Sequence, residues 1–282
     1  MNALNDGAAL PLGSLHELGD GVYTWLASPA GHGMTNAGVV VEDDGITLVD
    51  TLLVPSQAQR LAESLEPFGR PIKRVVYTSS HIEWVGGSAV FWMAARYGRS
   101  QTSALLDQPP NPEAFKRLHP LWAAELEEIT TRPVSHTVDT AAWLTPRLCA
   151  VPQSGQQLEN LVAVVPDNDV LFAGAMCCFG VTPNAFDGDP HVWADSIGEL
   201  AELATTVVPG IGPIGGADEL LIQQAYLYAC VEAACNQTPI PAGPWDTWVD
   251  RHLDEVNIER AARLAVADRG VPQSMLRLLG LV

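Results

Sequence analysis

Short runs of apolar residues, some continuous and some alternating with polar ones, recur along the chain between stretches of helical periodicity. Val22–Leu26, Ala37–Glu42 and Ile46–Asp50 read as successive strands, with Asp43-Asp44-Gly45 supplying a hairpin turn between the last two. Gln57–Leu65 reads as a helix with Ser56 as its N-cap, and the β-branched run in Lys73–Thr78 as another strand. Gly87–Tyr97 and the longer Pro112–Glu128 are expected to be helical. Strands return at Leu148–Val151, Leu161–Val165 and Val170–Phe172, with Pro166-Asp167-Asn168 turning between the last two. Helices follow at about Ala194–Thr205 and Ala217–Cys235, the latter with an apolar stripe of Leu220, Leu221, Leu227, Tyr228 and Val231. After a Pro/Gly break at Thr238–Gly243, Trp245–Val266 is helical again. Strands and helices alternating twice predict an α/β sandwich, sheets inside and helices outside, with no polar linker to divide it.

Composition narrows the class. The chain has 282 residues, 47% of them hydrophobic, enough to bury a sizeable core in one large domain or two small ones. Its 33 acidic residues against 15 basic give a formal net charge of −18, a field that repels phosphate backbones and anionic lipid. No nucleic-acid or membrane role is expected. No apolar run approaches the roughly 18–20 residues of a membrane span. Met1 to Gly13 lack the basic and apolar parts of a signal peptide, so a cytoplasmic location is expected. The five cysteines, Cys149, Cys177, Cys178, Cys230 and Cys235, are odd in number and form no CxxC pair, which disfavours a disulfide framework and a zinc ribbon.

The chemistry concentrates in Thr78-Ser79-Ser80-His81-Ile82-Glu83-Trp84-Val85-Gly86-Gly87, which leaves a strand and enters a helix. This segment resembles the T-H-x-H-x-D-H-x-G-G motif of the metallo-β-lactamase superfamily. Four further segments resemble that family in the right order. Thr35-Asn36 opens a strand, and Gly45 to Thr51 is similar to its G-x-x-L-I-D-T strand. Asn160-Leu161-Val162 with Val170 to Gly174 is similar to its N-L-V and F-x-G-D elements, and Val208 to Pro213 to its P-G-H-G-P loop. The resemblance spans roughly residues 15–216 of a single domain, with a C-terminal helical extension over 217–282. It implies a four-layer αβ/βα sandwich whose cleft lies at the ends of two sheets.

The same resemblance places metal ligands at Ser79, His81, Glu83, Trp84, Gln156 (or its neighbour), Ala175 and Ile211. One histidine is retained, one carboxylate is lengthened and five ligands are lost. A hydroxyl, an amide, a methyl and a branched alkyl group donate little or nothing to zinc, so no cofactor is expected. What remains suggests acid–base chemistry. His81 and Glu83 read as a coupled pair, or Glu83 as the base with its pKa raised by Trp84. Asp50 either orients His81 or caps the following loop. Trp84 offers an aromatic wall or fills the vacated volume; Ser79 and Ser80 bind a substrate oxygen or satisfy the strand end. His32, in the loop Gly31-His32-Gly33, and Gln156 and Cys177 complete the substrate-binding candidates. His16, His119, His136, His191 and His252 show no partner pattern.

Gly243 to Trp248 and Val256-Asn257-Ile258-Glu259-Arg260-Ala261-Ala262 are more loosely similar to C-terminal helices of bacterial members in natural-product metabolism, including polyketide cyclase-thioesterases. The resemblance implies a metal-independent cyclase, lyase, isomerase or hydrolase for a small, aromatic or polyketide-like carbonyl compound. A non-catalytic protein that binds a small molecule or a partner stands as the alternative, a single-metal hydrolase as the third reading, and a homo-oligomer is left open.

Overall fold

A computed structural model describes residues 12–108 and 111–282. The expectation about Met1 to Gly13 falls mostly outside them. Seven strands form the first sheet, in chain order: β1 (Leu12–Gly19), β2 (Val22–Ser28), β3 (Ala37–Glu42), β4 (Gly45–Val49), β5 (Ile72–Val76), β6 (Ala95–Gly98) and β7 (His136–Thr137). The first four pair antiparallel and the last three continue in parallel. The second sheet runs β12 (Thr206–Ile211), β11 (Val170–Cys178), β10 (Asn160–Val165), β9 (Cys149–Gln153), β8 (Ala142–Trp143).

Three cores define four layers. Val40, Val49 and Val76 of the first sheet meet Leu161, Ala163 and Phe172 of the second, so the two sheets pack face to face. On the outer face of the first sheet, Leu48 and Val75 pack against Ala58, Leu61 and Leu65 of α1 (Pro55–Leu65). On the outer face of the second, Leu171 and Ala173 pack against α6 (Pro190–Leu200) and α7 (Ala217–Asn236). The remaining helices are α2 (Ile82–Val85), α3 (Ser100–Leu106), α4 (Pro112–Leu118), α5 (Ala123–Glu127), α8 (Leu253–Ala265) and α9 (Gln273–Leu278). No helix among the described residues is long and apolar enough to cross a membrane.

Several expected elements differ, each for a physical reason. Gly87–Tyr97 is not one helix: Gly86–Phe91 makes a 3₁₀ turn and Ala95–Gly98 pairs with β5 as a strand. Pairing with a buried neighbour has overridden the helix-like apolar spacing of Phe91 to Ala95. Pro112–Glu128 breaks at His119-Pro120, since proline has no N–H to donate and disfavours helical backbone in the residue before it. Ser56 is not an N-cap; α1 starts with Pro55 behind Val54, and Ser56 binds the Glu125 carboxylate instead. The buried face of α7 runs through Leu220, Gln223, Tyr226, Leu227 and Cys230, while Leu221 and Tyr228 are exposed. Trp245–Val266 opens as a 3₁₀ turn, Pro244–Thr247, before α8 begins at Leu253.

The strand ends of both sheets are sewn together at one edge. Asn36 donates to the carbonyls of Pro209 (2.9 Å) and Gly212 (2.8 Å), and its own backbone N–H donates to Gly210 (2.7 Å). Thr78 accepts from the Ala175 backbone at 3.0 Å. The paired glycines after α2 are dictated by close approach: a Cβ on Gly86 would lie 1.8 Å from the Leu53 carbonyl oxygen, and one on Gly87 2.1 Å from that of Thr51. Only glycine lets α2 sit this low, which turns the His81–Glu83 segment into the cleft.

Candidate functional site

His81 stands at the turn from β5 into α2, stacked on Phe186 with ring centroids 5.1 Å apart. Both of its ring nitrogens are occupied. Nε2 donates to Asp187 Oδ2 at 2.9 Å, and Nδ1 accepts from the Gln156 amide at 2.8 Å. The direction of that second bond follows from a chain of amides. The Gln157 backbone N–H donates to Asn160 Oδ1 (2.8 Å), which turns the Asn160 NH₂ toward the Thr78 carbonyl (3.1 Å) and Gln156 Oε1 (2.9 Å). Gln156 therefore presents its own NH₂ to His81, and the imidazole is held as the neutral Nε2–H form. Burial resists a charge on His81, but the Asp187 and Glu83 carboxylates outweigh it and raise its pKa. Taking up that proton at Nδ1 requires Gln156 to reverse its amide.

Glu83 is paired elsewhere. Its Oε1 accepts from His119 Nε2 at 3.2 Å, and the Thr35 hydroxyl donates to its backbone carbonyl. Burial alone pushes the carboxyl up, but the hydrogen bond and charge of His119, with that of His81, bring it down to about 2. Glu83 is thus an ionised carboxylate and not a base with a raised pKa. The coupled His81–Glu83 pair is replaced by two separate pairs, His81–Asp187 and Glu83–His119.

Since the folded pKa of Glu83 lies below its ordinary value of 4.5, the stability it contributes is present above that value and is lost as pH falls toward about 2. The stability gap between the parent and Glu83→Gln is expected to shrink by about 2–3 kcal/mol across that window, measured by urea unfolding at stepped pH. A gap independent of pH would contradict the pairing.

Asp50 does not touch His81. Its carboxyl accepts from the Thr78 backbone N–H (2.8 Å) and meets the Thr78 hydroxyl (2.7 Å), at the end of β4 where the backbone turns left-handed (φ 67°). Burial raises its pKa to about 8 against those two bonds. Asp50 braces the strand end. Ser79 is fully buried, and its hydroxyl donates to Gln157 Oε1 (2.7 Å), which also accepts from the Ser80 backbone and hydroxyl (both 3.0 Å). Neither serine offers a free oxyanion donor. Cys177 faces the core under α6 and α7, where burial raises its thiol pKa well above the ordinary value, so it neither lines the cleft nor serves as a nucleophile. His32 is tied to the Thr182 carbonyl by Nε2 (2.9 Å), and burial lowers its pKa.

Three of the places where the family resemblance puts metal ligands have become one apolar cluster: Trp84, Ala175 and Ile211 pack together with Cys178 and Val181. The indole fills the space so completely that a Cβ on Gly210 would fall 2.6 Å from Trp84 Nε1. A gap of about 20 Å³ remains beside His81, lined by His32, Glu83, Gln156 and Trp193 among others. That is about the volume of a single water probe. At other ligand places, Ser79 is bonded to Gln157, and Gln156 and His81 are bonded to each other. The residues present do not fit a dinuclear zinc centre. Nor do three His, Cys, Asp or Glu side chains converge on one point anywhere among the described residues.

The usable space lies on the opposite side of His81. A pocket of about 360 Å³ opens between the cleft, α3, α4 and α9. Its floor carries Ser80, His81, Glu83, Gln157 and Asp187, and its walls are largely leucine, phenylalanine and methionine. The volume falls at the lower end of the roughly 300–1,000 Å³ typical of small-molecule sites.

Sequence reasoning missed the two partners. His119 enters the site because Pro120 breaks the expected helix there. Asp187 sits in the loop Asn184 to Asp189, whose turn-forming residues gave no chemical signal. The C-terminal run does carry one. Asn257 and Arg260, three apart on α8, face the same way. Asn257 accepts from the Ala185 backbone (2.9 Å) and donates to the Pro183 carbonyl (2.7 Å). Arg260 donates to the carbonyls of Gly188 (2.7 Å), Asp187 (3.1 Å), Arg269 and Gly270 (both 3.0 Å). The extension thus holds the loop that holds His81.

No protein-family model matches the chain, and no curated protein does. Solved structures do. The metallo-β-lactamase FIM-1 from Pseudomonas aeruginosa, in its mono-zinc form, superposes with a TM-score of 0.61 at 17% identity, over 77% of this chain and 95% of its own. A metallo-β-lactamase from Erythrobacter litoralis, with β-mercaptoethanol in its active site, gives 0.60 at 19%, over 78% and 98%. One from Hirschia baltica gives 0.58 at 21%, over 77% and 97%. The chain has the metallo-β-lactamase fold. At these identities the likeness is one of fold.

Proposed function

We propose that this chain binds a small, largely apolar molecule in the pocket beside His81, on a metallo-β-lactamase fold whose metal places have been given over to side-chain packing. The observation that carries the reading is the pocket itself, mostly apolar in its walls and charged only at the floor. Its outer walls come from α3, α4 and α9, and Arg260 ties the C-terminal helices to the Asp187 loop. A flat, carbonyl-bearing compound of the kind suggested by the C-terminal helices fits this description.

A metal-independent proton-transfer enzyme is the second reading, and one observation favours it. Asp187 Oδ1 is buried without a hydrogen-bond partner, while Oδ2 is held by His81 and by Gln157 (3.3 Å). A carboxylate steadied through one oxygen and unpartnered at the other has the form of a general base once its side chain, a third exposed, turns that oxygen toward the pocket. It would take a proton from a carbon next to a carbonyl group, with His81 as the residue that positions it.

The binding reading is tested with phenylnaphthylamine, a neutral apolar dye that fluoresces on leaving water. Saturable fluorescence is expected with the parent, and its loss in Ala114→Trp, where an indole on α4 fills the pocket. Equal binding by the two proteins would overturn the reading.

A further inference from the structure

We infer that the natural occupant of this pocket is an amphiphilic cation, an ammonium head on an apolar body. The inference rests on the reading that the pocket binds a small molecule, and it assigns the head group from the floor.

The walls ask for hydrocarbon: Leu105 and Leu106 of α3, Phe115 and Leu118 of α4, Met275 of α9 and Leu279 just beyond it. The floor carries two carboxylates, Glu83 and Asp187, and no lysine or arginine lines the pocket among the described residues. At the floor the hydrogen-bond donors are already used inside the protein, and the other polar groups of the lining, Gln108, Asn111, Thr131 and Asn184, are neutral. His81 Nε2–H is spent on Asp187, the Gln157 amide on Asp187, and the Ser80 hydroxyl on Gln157. What the floor has left over is acceptor capacity. Glu83 is bound by a side chain at only one oxygen, that facing His119, and Asp187 Oδ1 is buried with no partner at all.

A buried carboxylate oxygen without a donor is costly, and the cost is relieved by a ligand that brings N–H or O–H groups to it. An ammonium group carries three donors and a positive charge. An alcohol brings one donor and no charge, and a carboxylate would place a third anion beside two others. The net charge of −18 adds to the attraction for a cation approaching from solvent. His119 stands behind Glu83, outside the pocket lining, so its imidazole does not compete for the same space.

Calorimetry with octylammonium, octanol and octanoate on the full chain at neutral pH separates the alternatives, because the three share a tail and differ in the head. Octylammonium is expected to bind about tenfold more tightly than octanol, with octanoate weakest, the increment of one charge-assisted hydrogen bond. Glu83→Gln and Asp187→Asn are each expected to shrink the ratio of octylammonium to octanol affinity, with folding checked by circular dichroism. Octanol or octanoate binding as tightly as octylammonium would overturn the head-group assignment while leaving the pocket reading intact. So would failure of all three to bind when the dye still distinguishes parent from Ala114→Trp. Failure of the three probes together with equal dye binding by parent and Ala114→Trp would remove both.

Discussion

Arg260→Ala is expected to lower stability by about 3–5 kcal/mol, the cost of leaving several buried carbonyls without a donor. Arg260 is only 4% exposed, and its guanidinium serves four backbone oxygens, two of them in the loop that carries Asp187 and two after α8. No single water reproduces a rigid planar fork reaching two chain segments. Arg260→Lys should recover only part of the loss, because an ammonium cannot span both segments. Urea unfolding of the two variants measures this directly. Dye binding should weaken along with stability, since Phe186 and Asp187 line the pocket and depend on the loop's position. A stability change within a few tenths of a kcal/mol would mean that the C-terminal helices do not hold the site.

The second large effect concerns the apolar cluster. Ala175→Asp restores the acidic residue that the family resemblance puts at this place, yet it is expected to destabilise by about 3–5 kcal/mol or to prevent folding. Ala175 is fully buried, and its neighbours are an indole, a thiol and two branched alkyl side chains. The one ligand-type group among them, the Cys178 thiol, is held protonated by burial, and Glu83, which lines the same small gap as Ala175, would repel a second carboxylate. Zinc should therefore leave the unfolding midpoint of the variant where it is. A midpoint that recovers on adding zinc would show that the place still accepts a metal.

Much of the architecture was readable because it rests on patterns that survive divergence. Asp43-Asp44-Gly45 marks a hairpin by its turn chemistry, and Ala37–Glu42 is a strand in the structure with the same limits. The glycine pair after α2 signalled the family turn because no side chain fits against the Leu53 and Thr51 carbonyls. The lost ligands were legible as a set, and the side chains at three of their places do come together. What the sequence could not supply was pairing across long separations. His81 and Asp187 are 106 residues apart, and Glu83 and His119 36 apart. A lone Asp in a turn and a lone His before a proline look like ordinary loop residues until the fold sets them beside a partner. Asp50, Ser79 and Cys177 misled in the opposite sense. The family resemblance for Asp50 and Ser79, and closeness to Ala175 for Cys177, left a chemical role open, and burial with local hydrogen bonds makes the structural alternative the one observed.

Two features now connect the ends of the chain to the cleft. Trp84 fills a place where the family resemblance puts a metal ligand, and the small residues around it, Ala175 and Gly210, leave room for the ring. On the other side of His81, helices outside the two sheets wall a pocket whose floor is acidic. The amide chain from Asn160 through Gln156 keeps the imidazole between them in one tautomer. The packed cluster around Trp84 and the open pocket thus lie on opposite sides of His81.

The most direct test of that separation is elemental analysis of the protein after dialysis against excess zinc and removal of loosely held ions. The expected result is far less than one zinc per chain, unchanged in His81→Ala and in Glu83→Gln. Zinc close to one per chain, resisting mild chelation and lost in His81→Ala, would contradict the account, because it would mean that the packed place still works as a metal centre.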